Sequence, residues 1–238
     1  MRVYRRFSWK GANFRICSDH FDSLAEEIKK QRALLEIYIQ RQPAFAASLV
    51  PVGLKSGAPP IARRMAEAAE LVGVGPMAAV AGAVSQMAVE AGLEAGDREA
   101  IVDNGGDIFM VSDAEVVVGL YPGGGSLSDK LGILIEPGAM PLGICSSSSR
   151  MGHSLSLGKC DLACVVARNA ALADAAATYA CNLVKRPGDV AAALERVQVI
   201  PGISGVMIVE GERVGLAGDF PKLLRLEGRN LLEKVPRE

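Results

Sequence analysis

The sequence predicts an α+β fold in which largely antiparallel sheets pack against helices. Three observations lead there. Apolar runs of strand length cluster between residues 99 and 136, helical periodicities cluster before and after them, and short turns containing Gly or Asp join the strand runs. Half of the 238 residues are hydrophobic but only 5% are aromatic, and 26 are glycine, so the interior is built from Ala, Val, Leu and Ile with backbones in close approach. A chain of that length fits one large domain or two small, closely packed ones and buries a substantial core; one domain over residues 1–238 is expected.

Each element has its own signal. Residues 12–17 read as a strand. Residues 22–42 read as a long helix: Ser23 and Glu26 are spaced as a capping box, Leu24, Ile28, Leu35 and Ile39 share a face, and Pro43 ends it. Residues 49–60, LVPVGLKSGAPP, read as a loop. Two helices follow at 61–72 and 76–91, divided by Gly73-Val74-Gly75, with Pro76 in a first turn where its missing N–H costs little. Strands are expected at 99–103, 107–112, 115–120 and 131–136. Residues 144–160 are polar and read as irregular, 162–167 (LACVVA) as a fully buried strand, and 170–184 as an Ala-rich helix capped by Asn169. A short helix near 189–195 and a hairpin turning at Glu210 and Gly211 complete the pattern.

The formal net charge of −1 leaves no electrostatic footprint for nucleic acid or for a membrane surface. The most apolar window, residues 71–93, is interrupted by Pro76, Ser85, Gln86 and Glu90, unlike a membrane span. The basic start, MRVYRRFSWKGANFRI, has no apolar core or cleavage site of a signal peptide, so a cytoplasmic location is expected. The five cysteines include no CxxC pair and read as small buried apolar groups in a reducing compartment.

Four stretches offer chemistry. Asp174, Thr178 and Asn182 recur at i, i+4 and i+8 on one face of a helix otherwise made of Ala, Leu and Val. A carboxylate and a hydroxyl one turn apart are hard oxygen ligands for magnesium or calcium; the alternative is an Asp174 in water or near its own helix N-terminus. CSSSSRMGHSLSLGK, residues 145–159, places Ser147, Ser148, Ser149, Arg150 and His153 where hydroxyl and cationic donors could wrap a diphosphate, a solvated serine-rich connection being the alternative. No G-x-S-x-G elbow supports a serine hydrolase. Gly75 precedes a helix whose free N–H groups could receive an anion, or else it serves close packing. In VDNGGDIFM, residues 102–110, Asn104, Gly105, Gly106 and Asp107 form either a hairpin turn or a place where backbone passes close to a ligand.

Taken in order, VGPMAAVAGAVSQMA, VDNGGDIFM and VVARNAALADAAATYA resemble the ApbE family, the FAD-dependent protein FMN transferases, over about residues 70–185. The family carries an N-x-G-G-D-I type turn and an A-D-x-x-x-T helix whose Asp and Thr bind magnesium. Asn104-Gly105-Gly106-Asp107-Ile108 and Ala173-Asp174 through Thr178 match these. The resemblance implies a metal site of Asp174, Thr178 and the Ala78 carbonyl, with His153 near the pyrophosphate and Asp174 and His153 as catalytic residues. It implies Mg2+ and FAD, as substrate or cofactor, together with a protein acceptor, and leaves a homo-oligomer open.

The chain departs from the family in two places. Ser154 through Gly158 stand where the family has an Asp-Pro pair, and Ala78-Ala79-Val80 where it has A-K-G. The chain therefore resembles the short, compact branch allied to ApbE. Two functions follow: a magnesium-dependent FAD-binding FMN transferase, or a non-catalytic flavin-binding or accessory protein in anaerobic sulfur assimilation to homocysteine.

Overall fold

The computed structural model describes residues 2–123, 130–149 and 160–226. In chain order the elements are β1 (Arg5–Trp9), β2 (Ala12–Cys17), α1 (Phe21–Arg41), α2 (Ala44–Ala47), α3 (Pro60–Val72), a 3-10 turn (Pro76–Ala79), α4 (Val80–Ala95), β3 (Ala100–Asn104), β4 (Asp107–Val111), β5 (Val116–Leu120) and β6 (Leu131–Ile135). After a second 3-10 turn (Pro137–Ala139) come β7 (Leu142–Ser147), β8 (Leu162–Ala167), α5 (Ala170–Leu183), α6 (Val190–Gln198), β9 (Ile203–Glu210), β10 (Arg213–Gly218) and β11 (Lys222–Arg225).

The strands form an eight-stranded sheet in the order β1-β2-β3-β4-β7-β8-β9-β10 and a three-stranded sheet in the order β11-β6-β5. Every neighbouring pair is antiparallel. The α+β expectation is met. Side-chain alternation in the large sheet explains the layers. In β8, Ala163, Val165 and Ala167 join the core beneath the helices, while Leu162, Cys164 and Val166 join the core shared with the small sheet. Both faces are covered, which is why LACVVA is apolar throughout rather than alternating.

Two expectations are corrected, and two edge strands were not expected. Residues 144–160 are not irregular from their start, because β7 runs through Ser147 and sits between β4 and β8 in the large sheet. The capping box at Ser23 and Glu26 is absent: α1 begins at Phe21 with no side-chain cap of its own. Instead Asp97, distant in sequence, accepts from the backbone N–H groups of Asp19 and His20 at 3.0 and 3.3 Å. The edge strands β1 and β11 carry too weak a pattern to be read from sequence, since β1 is exposed at most positions and β11 is only four residues long. No single helix among the described residues is long and apolar enough to cross a membrane.

The helical layer is organised by a crossing of α4 and α5. A Cβ at Gly82 would lie 2.7 Å from the Ala170 carbonyl carbon and 2.9 Å from Asp174 Cβ, so only glycine lets the two helices meet there. Gly143 in β7 plays the same part against α5, where a Cβ would lie 2.7 Å from Ala170 Cα. A core of Ala and Gly brings α5 close to both the sheet and α4.

Candidate functional site

At this crossing each helix caps the other. α4 follows Ala79, which has no side-chain acceptor, and its first free N–H groups belong to Ala81 and Gly82. Asp174, on α5, accepts from Gly82 N–H at 2.9 Å and from Ala81 N–H. In return Gln86 of α4 accepts at Oε1 from Ala170 N–H, the first residue of α5, at 2.9 Å, while Asn169 Oδ1 accepts from Leu172 N–H at 3.1 Å. Asn169 is therefore the cap expected from sequence. Asp174 is not in water: it is buried, and from one turn inside α5 it serves the N-terminus of α4.

The second carboxylate of the site is Asp107, the first residue of β4. Its Oδ1 accepts from Ser146 N–H at 3.3 Å and its carboxylate is hydrogen-bonded to the Cys145 thiol, while Ser85 Oγ donates to its backbone carbonyl at 2.8 Å. Burial pushes the Asp107 carboxyl well above the ordinary carboxylate range, and the charge of Asp174 pushes it further. Burial likewise raises Asp174 to about 7, against the pull of the Gly82 and Ala81 N–H groups. Two neighbouring carboxylates out of water resist double ionisation, so the pair favours either a shared proton or a cation.

Asn104 and Asp107 face each other across a two-residue turn in which Gly105 and Gly106 both have positive φ, 68° and 105°. No other part of the described chain crowds the Cβ position of either glycine, and their positive φ is what the hairpin requires. The turn is held by Gly106 N–H donating to Asp103 Oδ1 at 2.8 Å, and Asn104 Nδ2 reaches the Ala81 carbonyl at 3.4 Å. Gly75 is a packing residue in this geometry, since a Cβ there would collide with the Ser48 carbonyl.

The remaining expected residues fall as follows. Ala78 is half-buried in the 3-10 turn that packs on α5, and Thr178 is half-buried one turn beyond Asp174. Ser147 is in register with Ala163, a residue of the helix-side core, and its buried Oγ makes no hydrogen bond. Ser148 is buried, and Ser149 Oγ donates to the Cys160 carbonyl at 2.7 Å. Arg150 and His153 lie outside the described residues, and so does the expected placement of His153 near the pyrophosphate.

The sequence reading did not place Cys145, Ser146, Ser85, Gln86 or the amides of Ala81 and Gly82 in contact with the two carboxylates or the helix crossing. Backbone donors leave no mark on residue type; an isolated glycine in a helical pattern was the one available signal, at Gly82. Among the described residues no three His, Cys, Asp or Glu side chains gather as a metal cluster. Two neighbouring carboxylates are hard oxygen donors of the kind that suits magnesium. A buried Ser147 hydroxyl without a partner among the described residues and two buried carboxylates that resist double ionisation fit a site that takes a cation and an oxygen-rich ligand.

The fold is that of the ApbE flavin transferases. The apo flavinyl transferase ApbE from Pseudomonas stutzeri superposes with a TM-score of 0.56 at 11% identity, covering 91% of this chain and 94% of that one. The ApbE protein from Thermotoga maritima gives 0.55 at 14% identity with both chains covered in full, 100% each. More particularly, residues 16–200 match the family described as "AbpE bacteria", and the chain belongs to that family. Its relatives include a UPF0280 protein from Methanosarcina acetivorans, 41% identical over 212 residues, 89% of this chain and 83% of the relative. Another, from Methanopyrus kandleri, is 43% identical over 212 residues, 87% and 85% of the two chains.

Proposed function

We propose that the chain is a magnesium-dependent, FAD-binding enzyme of the cytoplasm that transfers FMN from FAD to a protein hydroxyl. One observation carries this reading: Asp174, at the helix position where the family resemblance expects a magnesium ligand, is buried beside a second carboxylate. The flavin transferases named among the structural neighbours support it.

Asp174, Thr178 and the Ala78 carbonyl would hold the ion, which supplies positive charge against the pyrophosphate oxygens of FAD. Asp107, fixed by Ser146 N–H and the Cys145 thiol, would supply a second negative charge once a bound dication displaces its proton. Ser147, Ser148, Ser149 and Arg150 would donate to the phosphates, and Asn104, Gly105 and Gly106 would border the nucleotide. In the transfer, the acceptor's hydroxyl oxygen bonds to the FMN-side phosphorus and the bridging P–O bond breaks. AMP departs with the bonding pair, and the hydroxyl proton passes to a base, for which His153 is the candidate.

The test is a titration of FAD into the purified protein with magnesium and with a chelator, together with assay of AMP release in the presence of hydroxyl-bearing acceptor. Saturable magnesium-dependent binding with AMP release is expected. Failure to bind FAD under either condition would overturn the reading. The absent lysine at Ala79 and absent Asp-Pro pair favour one second reading, a flavin-binding accessory protein, whose signature is FAD binding with no AMP release.

A further inference from the structure

The large sheet ends differently on its two sides. Its edge at β1 carries Arg5 and Arg6, both exposed, and charges of this kind keep an edge strand from pairing with another chain. Its edge at β10 reads RVGLAG, with Arg213 as the one charge and exposed apolar residues behind it.

Two hydrogen bonds fix the direction of the β10 backbone. The Val209 carbonyl of β9 accepts from Asp161 N–H at 3.1 Å, so Val209 faces β8, and Val214, its register partner in β10, turns its own N–H and C=O away from β9. At the far end Asp219 N–H donates to the Ser204 carbonyl at 2.7 Å, which sets the same alternation and leaves Leu216 pointing outward as well. Among the described residues no strand lies beyond them. Their side chains also stop short of a partner. Val214 is 37% exposed and Leu216 46%, yet their β9 partners Val209 and Met207 are buried in the core between the two sheets. Two apolar rows cross the sheet, one through Leu162, Val209 and Val214 and the other through Cys164, Met207 and Leu216, and both end in solvent at this edge.

A second copy of the same strand completes both rows. In antiparallel self-pairing about Gly215, Val214 stands opposite the partner's Leu216, and Leu216 opposite the partner's Val214. The outward N–H and C=O groups then satisfy one another, and each apolar row runs on into the other copy through an apolar cross-strand pair. Gly215, on the axis, is already covered on its helix side, where a Cβ would lie 2.7 Å from Leu194 of α6. Charge agrees with the antiparallel sense. It brings the Arg213 end of one copy beside the Asp219 end of the other, and neither residue forms an ion pair among the described residues.

We propose that the β10 edge is a homodimer interface, in which two copies of this chain pair β10 with β10 antiparallel about Gly215 and join their large sheets into one. The interface is separate from the Asp174 centre and does not depend on the flavin reading.

Sedimentation of the full chain over a concentration series up to roughly 1 mM should show a reversible monomer–dimer equilibrium and nothing larger, because a two-fold contact closes on itself. Amide hydrogen exchange at Val214 and Leu216 should slow roughly tenfold or more where the dimer predominates, relative to dilute protein. Val214→Lys and Leu216→Lys give β10 the kind of charge that β1 already carries, and each should weaken dimerisation roughly tenfold or more with the melting temperature of dilute protein unchanged. Val117→Lys, at an exposed site on the edge of the small sheet, should leave dimerisation unaltered. A monomer throughout, assembly beyond the dimer, or unprotected Val214 and Leu216 amides in the dimer would overturn the proposal. So would wild-type dimerisation in either β10 variant, or its loss in Val117→Lys.

Discussion

Asp174 answers to two demands at once. As an anion it is stabilised by the N–H groups of Gly82 and Ala81, and as a buried group beside Asp107 it is penalised for carrying charge. Asp174→Asn keeps the shape and an acceptor oxygen but removes the anionic ligand. Under the magnesium-dependent reading, FAD affinity in magnesium should fall roughly tenfold to a hundredfold while the fold survives, measured by isothermal titration. Thr178→Val should act the same way more weakly, because a neutral hydroxyl contributes less to a dication than a carboxylate. Equal FAD affinities in wild type and Asp174→Asn would refute the metal role. Ser147 separates ligand binding from stability. Its Oγ is buried without a hydrogen bond, a state costing about 1–3 kcal/mol, so Ser147→Ala should leave the melting temperature equal or higher. The same variant should weaken FAD, and unchanged affinity would remove Ser147 from the site.

At the scale of elements, the crossing of α4 and α5 is the feature most sensitive to a single atom. Alanine ordinarily improves a helix interior by about 1 kcal/mol over glycine, yet at Gly82 its methyl would press on the Ala170 carbonyl and on Asp174. Overpacking against backbone wins that comparison. Gly82→Ala should destabilise by roughly 1–3 kcal/mol in urea titration and weaken magnesium-dependent FAD binding, because it displaces the cap supplied by Asp174. Elements with a strong burial pattern were legible in sequence: β2, α3, β8 and α5 stand within a residue or so of their expected bounds. β7 was not expected as a strand, because Ser146 and Ser147 look like loop residues. Ser146 N–H is satisfied by Asp107, a partner 39 positions away that no local pattern announces.

For the whole molecule, the carboxylate pair links folding to pH. The Asp174 carboxyl is raised to about 7, so between the ordinary carboxylate range and that value the native state holds a proton that the unfolded chain has released. Stability contributed by this group is complete at acid pH and is lost as pH rises through the native value, with a slope approaching roughly 1.4 kcal/mol per pH unit. In chelator, urea midpoints of the wild type should fall across that window relative to Asp174→Asn; parallel profiles would show that Asp174 is not raised. If magnesium binds the folded state, it should restore stability at the upper end of the window. The sequence by itself determined the fold class, the buried character of β8 and α5, the Asn169 cap and the presence of Asp174 and Asp107 in motifs worth testing, because burial periodicity and turn chemistry are written in residue type. Only the tertiary structure decided that Asp174 caps α4 rather than facing water and that Gly105 and Gly106 serve the turn. It alone decided that Gly75 and Gly82 serve close packing and that Cys145, Ser146 and Gln86 join the site. Each of those outcomes depends on backbone N–H groups and carbonyls brought together from distant positions, and a backbone amide has the same chemistry beneath almost every side chain.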